Sequence, residues 1–180
     1  MRSGLRLLAL ATGLWLAVPA VAGFQSEEAL AASVAAGLRQ AVTRATPPRL
    51  VFDNAEEGRA WLLDMSGRLA RRVPDSWMRE RLLTVIHYEA SRAGLDPALV
   101  LGLIEVESGF RKYAISPVGA RGLMQVMPFW VGAIGAPDHN LFDVTTNLRY
   151  GCVILRHYLV RENGNLYRAL GRYNGSLGPT

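Results

Sequence analysis

From residue 25 onward the apolar positions recur almost everywhere with the spacing of a helix face. Between Ser26 and Thr43, Leu30, Val34, Leu38 and Val42 form an i, i+4 series in an alanine-rich background, which predicts an amphipathic helix. Pro47-Pro48 ends it. The following Leu50-Val51-Phe52 is apolar enough to run extended, but the chain offers no partner strand. Asp53 or Asn54 can cap a second helix reaching about Val73, with Trp61, Leu62, Met65 and Leu69 on its inner side and Pro74 closing it. Asp75 caps a third, through Ala93, that turns Leu82, Val85, Ile86 and Ala90 inward; Gly94 stops it.

Asp96-Pro97 is a strong helix start, an accepting side chain followed by a residue that needs no N–H partner. The helix reads PALVLGLIEVES and meets a natural terminator in Gly109. A glycine-rich loop, RKYAISPVGARG, follows, and LMQVM predicts a short helical stretch reaching Pro128. After a loop through HNLFD, a helix spans about Thr145 to Arg161, and Asn165 caps a last short one, LYRALGRY. There is no internal repeat and no alternating strand pattern. The predicted fold class is mainly α, with an accessory helical segment at residues 23–74 ahead of a domain at 75–180.

The head of the chain is patterned differently. Arg2 and Arg6 precede an apolar stretch from Leu7 to Val18, Pro19 breaks it, and Ala20-Val21-Ala22 supplies small residues, the three-part pattern of a secretory signal peptide at residues 1–22. The apolar run is shorter than the roughly 20 residues that span a bilayer, which disfavours a membrane anchor. No cysteine lies near the cleavage point, which disfavours a lipid anchor. The reading is a periplasmic or secreted protein without stable membrane insertion after cleavage.

With 50% hydrophobic and 19% charged residues in 180, the composition excludes disorder and collagen-like repeats. A chain of this size can bury a core without disulfides. The single cysteine, Cys152, allows neither an intramolecular disulfide nor a cysteine-rich zinc site, and it is expected to be buried and inert. His87, His139 and His157 lack metal-ligand spacing, and no phosphate-cradling loop occurs, so neither metal nor nucleotide cofactor is implied. The net charge of +5 is carried almost wholly by arginine, Lys112 being the only lysine. Its densest stretch, Arg68 to Arg72, has no interleaved aromatics and reads as the solvated end of a helix rather than a nucleic-acid surface.

At about 100° per residue, Val100, Ile104 and Glu107 share one face of the PALVLGLIEVES helix, Leu103 lies beside them, and Glu105 points almost opposite. A carboxyl on an apolar face loses solvation of its charged form, its pKa rises, and it becomes able to donate a proton near neutrality. From spacing alone, a partly exposed glutamate paired with an arginine such as Arg111 or Arg121 is the better reading.

Four blocks add a further signal. LDPALVLGLIEVESGF carries an "ES" motif, ISPVGARGLMQVMP follows the pattern SPxGAxGLMQ.MP, LFDVTTNLRYGCVILRHYL follows LFDPxxNI..G..YL, and NLYRALGRYNG follows AL.aYN.G. In this order, over about 80 residues, they resemble the soluble, goose-lysozyme-like lytic transglycosylases that cut bacterial peptidoglycan. The resemblance implies a lysozyme-like helical domain acting on peptidoglycan glycan strands. It makes Glu107 the sole catalytic carboxylate, first protonating the oxygen between N-acetylmuramic acid and N-acetylglucosamine, then taking the proton of the muramoyl C6 hydroxyl as a 1,6-anhydro ring closes. It implies that Ser116 and Gln125 hold the reacting sugar, that Met127 packs on a sugar face, that Tyr173 hydrogen-bonds and orients Glu107, and that Asn174 fixes that corner. From the residues alone, Ser116 also reads as a turn residue before Pro117, Met124 and Met127 as core, and Tyr173-Asn174 as a helix end. Ser108 is expected to bond backbone near its helix end, and Asp143 to cap a helix. Phe110, Tyr113, Phe129 and Trp130 are open to either a groove or a core role.

Only Gly175 to Thr180 follow the last motif, where the resemblance implies a further segment closing the fold over the glutamate. That leaves two alternatives beside the lytic transglycosylase: a catalytically inactive peptidoglycan-binding module, and a hydrolytic muramidase in which water replaces the C6 hydroxyl.

Overall fold

A computed structural model describes residues 25, 27, 29–44 and 46–177. The expected signal peptide at 1–22 lies outside them. Seven helices occur among the described residues: α1 (Ala32–Thr43), α2 (Ala55–Leu69), α3 (Ser76–Arg92), α4 (Pro97–Ser108), α5 (Phe129–Ile134), α6 (Val144–Arg161) and α7 (Leu166–Tyr173). The mainly α fold class holds; the only β pairing among these residues is a pair of isolated bridges.

Most helix starts follow from capping chemistry. Asn54, Asp75, Asp96, Asp143 and Asn165 each accept a hydrogen bond from a backbone N–H in the first turn of α2, α3, α4, α6 and α7. Asn54 also donates to Glu57, closing a reciprocal cap. The first helix is shorter than its apolar pattern: it begins at Ala32, and Ala31 brings no side-chain cap. LMQVM is not helical. Gly122 and Gln125 both take positive φ, and the Met124 N–H bonds the side chain of Asn147, so the segment becomes a tight turn bridged between Arg121 and Val126. The six-residue α5 was not legible, being too short and too uniformly apolar to show a helical period.

The core is centred on α6, whose Leu148, Tyr150, Cys152, Ile154 and Leu155 are fully buried. α7, α3 and α1 pack around it, α4 packs on α3, and α2 reaches the core through α3. Val100 and Ile104 of α4, Ile86 and Ala90 of α3, and Tyr173 of α7 complete the interior. Burial pushes the Cys152 thiol far up, which leaves it inert.

A buried charge cluster ties three helices together. Glu89 of α3 is wholly buried and pairs with Arg92 at 2.7 Å and with Arg149 of α6 at 3.0 Å. Arg92 also donates to the carbonyl of Ala41 at 2.7 Å, and Arg149 reaches that of Val42 at 3.5 Å. Two cations thus sit at the negative end of the α1 dipole, and one carboxylate pairs with both, leaving the positive charge that this helix end favours. Removing that carboxylate leaves arginines with little solvent to turn to. Glu89→Ala is therefore expected to lower the unfolding free energy by about 3 kcal/mol, measured by urea denaturation, with α1 the first helix to lose amide-exchange protection.

Candidate active site

The last turn of α4 carries Glu107. As the helical spacing required, Val100 and Ile104 are fully buried on its face and Leu103 lies beside them, while Glu105 is half-buried and paired with Arg72 of the α2 end. Glu107 is only 5% exposed. Gly109 ends the helix at φ 56, returning its N–H to the carbonyls of Ile104 and Glu105. Ser108 donates to the Ile104 carbonyl at 3.2 Å, the structural role expected of it. Neither arginine that could have paired with Glu107 does so: Arg111 donates to the Ser108 carbonyl, and Arg121 lies over the ring of Phe142. Oε2 of Glu107 is buried with no hydrogen-bond partner among the described residues. Loss of solvation alone raises its pKa to about 7.

Tyr173, close enough to Glu107 to feel its charge, links it to the loop 114–127. Ser116 is half-buried; its N–H and carbonyl bond Ala120 and Gly119, and its hydroxyl accepts from the Ala120 N–H at 3.0 Å. It is thus a turn residue as well as a candidate ligand, one lone pair of its hydroxyl remaining. Gln125 is 2% exposed, and its amide nitrogen donates inward to the carbonyls of Gly122 and Ala114. Only its Oε1 is left for a substrate. Met127 is half-buried against the core.

Two side chains hold this loop. Asn147 of α6 accepts from the Met124 N–H at 2.8 Å and donates to the carbonyls of Arg121 and Leu141, both at 2.9 Å. Gly122 is obligatory beneath it: at φ +75, a Cβ there would stand 2.4 Å from Asn147 Nδ2 and 2.6 Å from the Leu141 carbonyl. The sequence reading missed Asn147; a weak helix former in the middle of a helix, one turn after its cap, was the available signal. The second holder is Tyr173. It is fully buried, and its hydroxyl donates to the Met124 carbonyl at 2.8 Å rather than to Glu107. A single phenolic proton can serve one acceptor, and the carbonyl in the turn takes it. Glu107 is nevertheless near enough to push the Tyr173 pKa up further, beyond the larger effect of burial. Tyr173 is placed by α7, which Glu162 locks to the end of α6 through Arg168 at 2.5 Å and through Arg172. Asn174 is not brought into the cluster: it is exposed at the end of α7 and accepts from the Ser176 N–H. Gln25 joins it from outside the motifs, accepting from the Met127 N–H at 3.3 Å.

Of the aromatics left open, Trp130 is core, Tyr113 is exposed beside Phe142, and Phe110 and Phe129 are half-buried. Asp143 caps α6, as expected. Among the described residues no cluster of His, Cys, Asp and Glu could hold a metal ion, and no helix is long and apolar enough to cross a membrane.

The raised pKa carries a stability consequence. Folded Glu107 holds its proton up to about 7, whereas an unfolded one releases it near 4.5. Between those values the native state binds more protons, so rising pH destabilises it, by about 3 kcal/mol once Glu107 is charged. Glutamine mimics the protonated form. Glu107→Gln is expected to gain that amount on the native protein between pH 4 and pH 8, read from urea midpoints at the two pH values.

Residues 84–180, more than half of the chain, match the Transglycosylase SLT domain family. Similar proteins include a transglycosylase of Enterobacteria phage PRD1, 38% identical over 48% of this chain and 31% of its own length. Others are membrane-bound lytic murein transglycosylases C, from Actinobacillus pleuropneumoniae serotype 5b (35% identical, 53% of this chain, 31% of the relative) and from Mannheimia succiniciproducens (31% identical, 54% and 32%). The chain spans about a third of the length of these curated relatives. No solved structure matches it at a significant level. The match runs from the middle of α3 to the end of the chain and takes in Glu107, the loop 114–127 and Tyr173, so the chain belongs to the Transglycosylase SLT domain family.

Proposed function

We propose that this chain is a lytic transglycosylase that cleaves the β-1,4 bond between N-acetylmuramic acid and N-acetylglucosamine in peptidoglycan, with Glu107 as the one catalytic carboxylate. The observation that carries the reading is a buried glutamate whose pKa is lifted to about 7 by burial alone, with no charged neighbour contributing. Glycosidases with two working carboxylates hold them roughly 5–9.5 Å apart. A carboxylate that close would add its own charge to the shift.

The chemistry closes on one residue. Protonated Glu107 gives its proton to the glycosidic oxygen as the bond to muramoyl C1 breaks, and the N-acetylglucosamine leaves with a free hydroxyl. The carboxylate so formed takes the proton of the muramoyl C6 hydroxyl, whose oxygen bonds C1. The 1,6-anhydro ring closes, Glu107 is protonated again, and no water is consumed. Desolvation favours the neutral acid before the step and makes the transient carboxylate a stronger base after it.

Gln125 Oε1 and Ser116 hold the sugar from the loop, and Met127 offers it an apolar face. Tyr173 acts by fixing the Met124 carbonyl, and with it the turn, rather than by orienting Glu107 directly. Asn174 contributes only through the end of α7. Residues 1–22 act as an export signal, which puts the chain on the wall side of the membrane, in keeping with the murein named for its relatives. Nucleic acid and cofactors have no part in this reading.

The test is digestion of purified sacculi by the chain beginning at Gly23, with products identified by mass spectrometry. Anhydromuropeptides are expected, and their loss of at least a hundredfold in Glu107→Gln. Reducing ends in place of anhydro ends favour the muramidase. Binding to sacculi that stay intact favours the inactive module. Because the acid must start protonated, kcat is expected to fall as pH rises through about 7.

A further inference from the structure

The catalytic cluster contains one side chain that its motifs do not supply. Gln25 lies ahead of α1, 102 positions from its partner Met127, yet it is only 3% exposed. Its Oε1 accepts from the Met127 N–H at 3.3 Å. Its amide nitrogen is buried beside the Tyr173 hydroxyl without closing a hydrogen bond of good geometry. A buried polar side chain with one loose and one unmade hydrogen bond is a poor structural anchor, since each unmade bond costs free energy. Its functional group is informative. A carboxamide, with one carbonyl acceptor and an N–H donor, has the hydrogen-bonding pattern of the acetamido group that both sugars of the glycan strand carry.

We propose that the segment ahead of α1 is a built-in competitor of the substrate: the Gln25 carboxamide occupies an acetamido-binding corner between the Met127 N–H and the Tyr173 hydroxyl, and it must withdraw before an N-acetylated sugar is seated there. The inference rests on the glycan-cleaving reading of the same site. The chain is built to allow withdrawal. α1 is fixed to the core by Val42, and its last turn is held by Arg92 and Arg149, so the helix stays docked. Ahead of it the hold is lighter: Leu30 is partly buried against the core, and Ala31 is extended, at ψ 141, with no side-chain cap. Gln25, ahead of Leu30, can therefore withdraw without unpacking α1. Only the open fraction binds glycan, so the apparent affinity is reduced by that fraction, and tethering keeps the local concentration of the competitor high.

The experiment measures binding of tetra-N-acetylchitotetraose to the chain beginning at Gly23, to its Gln25→Ala variant, and to a chain beginning at Leu30, which keeps all of α1. Loss of one neutral hydrogen bond from the closed state is expected to tighten binding about two- to tenfold in Gln25→Ala, and at least as much in the shortened chain. Amide exchange at Met127 is expected to accelerate in both variants when the sugar is absent. Equal affinity in all three chains, or weaker binding in the variants, overturns the proposal, the second by making Gln25 part of the glycan-binding wall. Sacculus digestion in parallel separates the two readings. Tighter sugar binding with sacculi intact throughout keeps the competitor and removes the transglycosylase. Sacculi cut equally well by all three chains, with equal affinities, keep the transglycosylase and remove the competitor. No binding by any chain overturns the competitor, and sacculi left intact as well overturn the transglycosylase.

Discussion

The structure turns on the cost of putting a carboxyl where water cannot reach it. A charged Glu107 would be several kcal/mol too expensive at that position without a counter-charge, and the fold supplies none. The group answers by keeping its proton to about pH 7. Everything around it can be understood as holding that condition: an apolar face along α4, arginines engaged elsewhere, and a loop, linked through Tyr173, whose polar atoms are mostly already satisfied.

That loop is short, rich in positive φ and without regular structure of its own, so its shape has to be imposed from outside. Two amides and one phenol impose it. Asn147 takes one N–H and two carbonyls of the loop and its surroundings, Gln125 turns inward to two more carbonyls, and Tyr173 takes the carbonyl of Met124. Each of these side chains arrives on an element pinned by charge or packing. α7 is locked by Glu162 to α6, and α6 is tied through Glu89 to α3 and α1. The rigidity of the turn therefore depends on ion pairs well away from it, a familiar division in which chemistry sits on loops and precision comes from the scaffold.

Much of this was legible in the residues. Capping side chains and proline or glycine stops act within a few positions, so the starts of α2, α3, α4, α6 and α7 and the end of α4 could be read directly. That Glu107 falls on the apolar face of α4 and Glu105 on another side followed from helical angle; that Glu107 is buried and unpaired with Arg111 or Arg121 did not, since spacing alone favoured a partly exposed glutamate. The errors were of another kind. LMQVM looks helical by composition, but its hydrogen bonds go to Asn147 and Arg121, residues that no local pattern connects to it. Tyr173 was expected to meet Glu107 because the two share a motif set; the acceptor it takes is a backbone carbonyl.

The sequence by itself determined the mainly α class, the helix limits set by caps, the apolar placement of Glu107 and, through its four ordered blocks, the family. These are properties of neighbours along the chain, where sterics, helical period and capping hydrogen bonds decide. Tertiary structure alone decided how far the pKa of Glu107 rises, which acceptor Tyr173 takes, that Asn147 holds the loop, and that Gln25 bonds the Met127 N–H. Burial and hydrogen-bond partnership are fixed by what comes together in space, and the residues concerned are separated by tens to about a hundred positions.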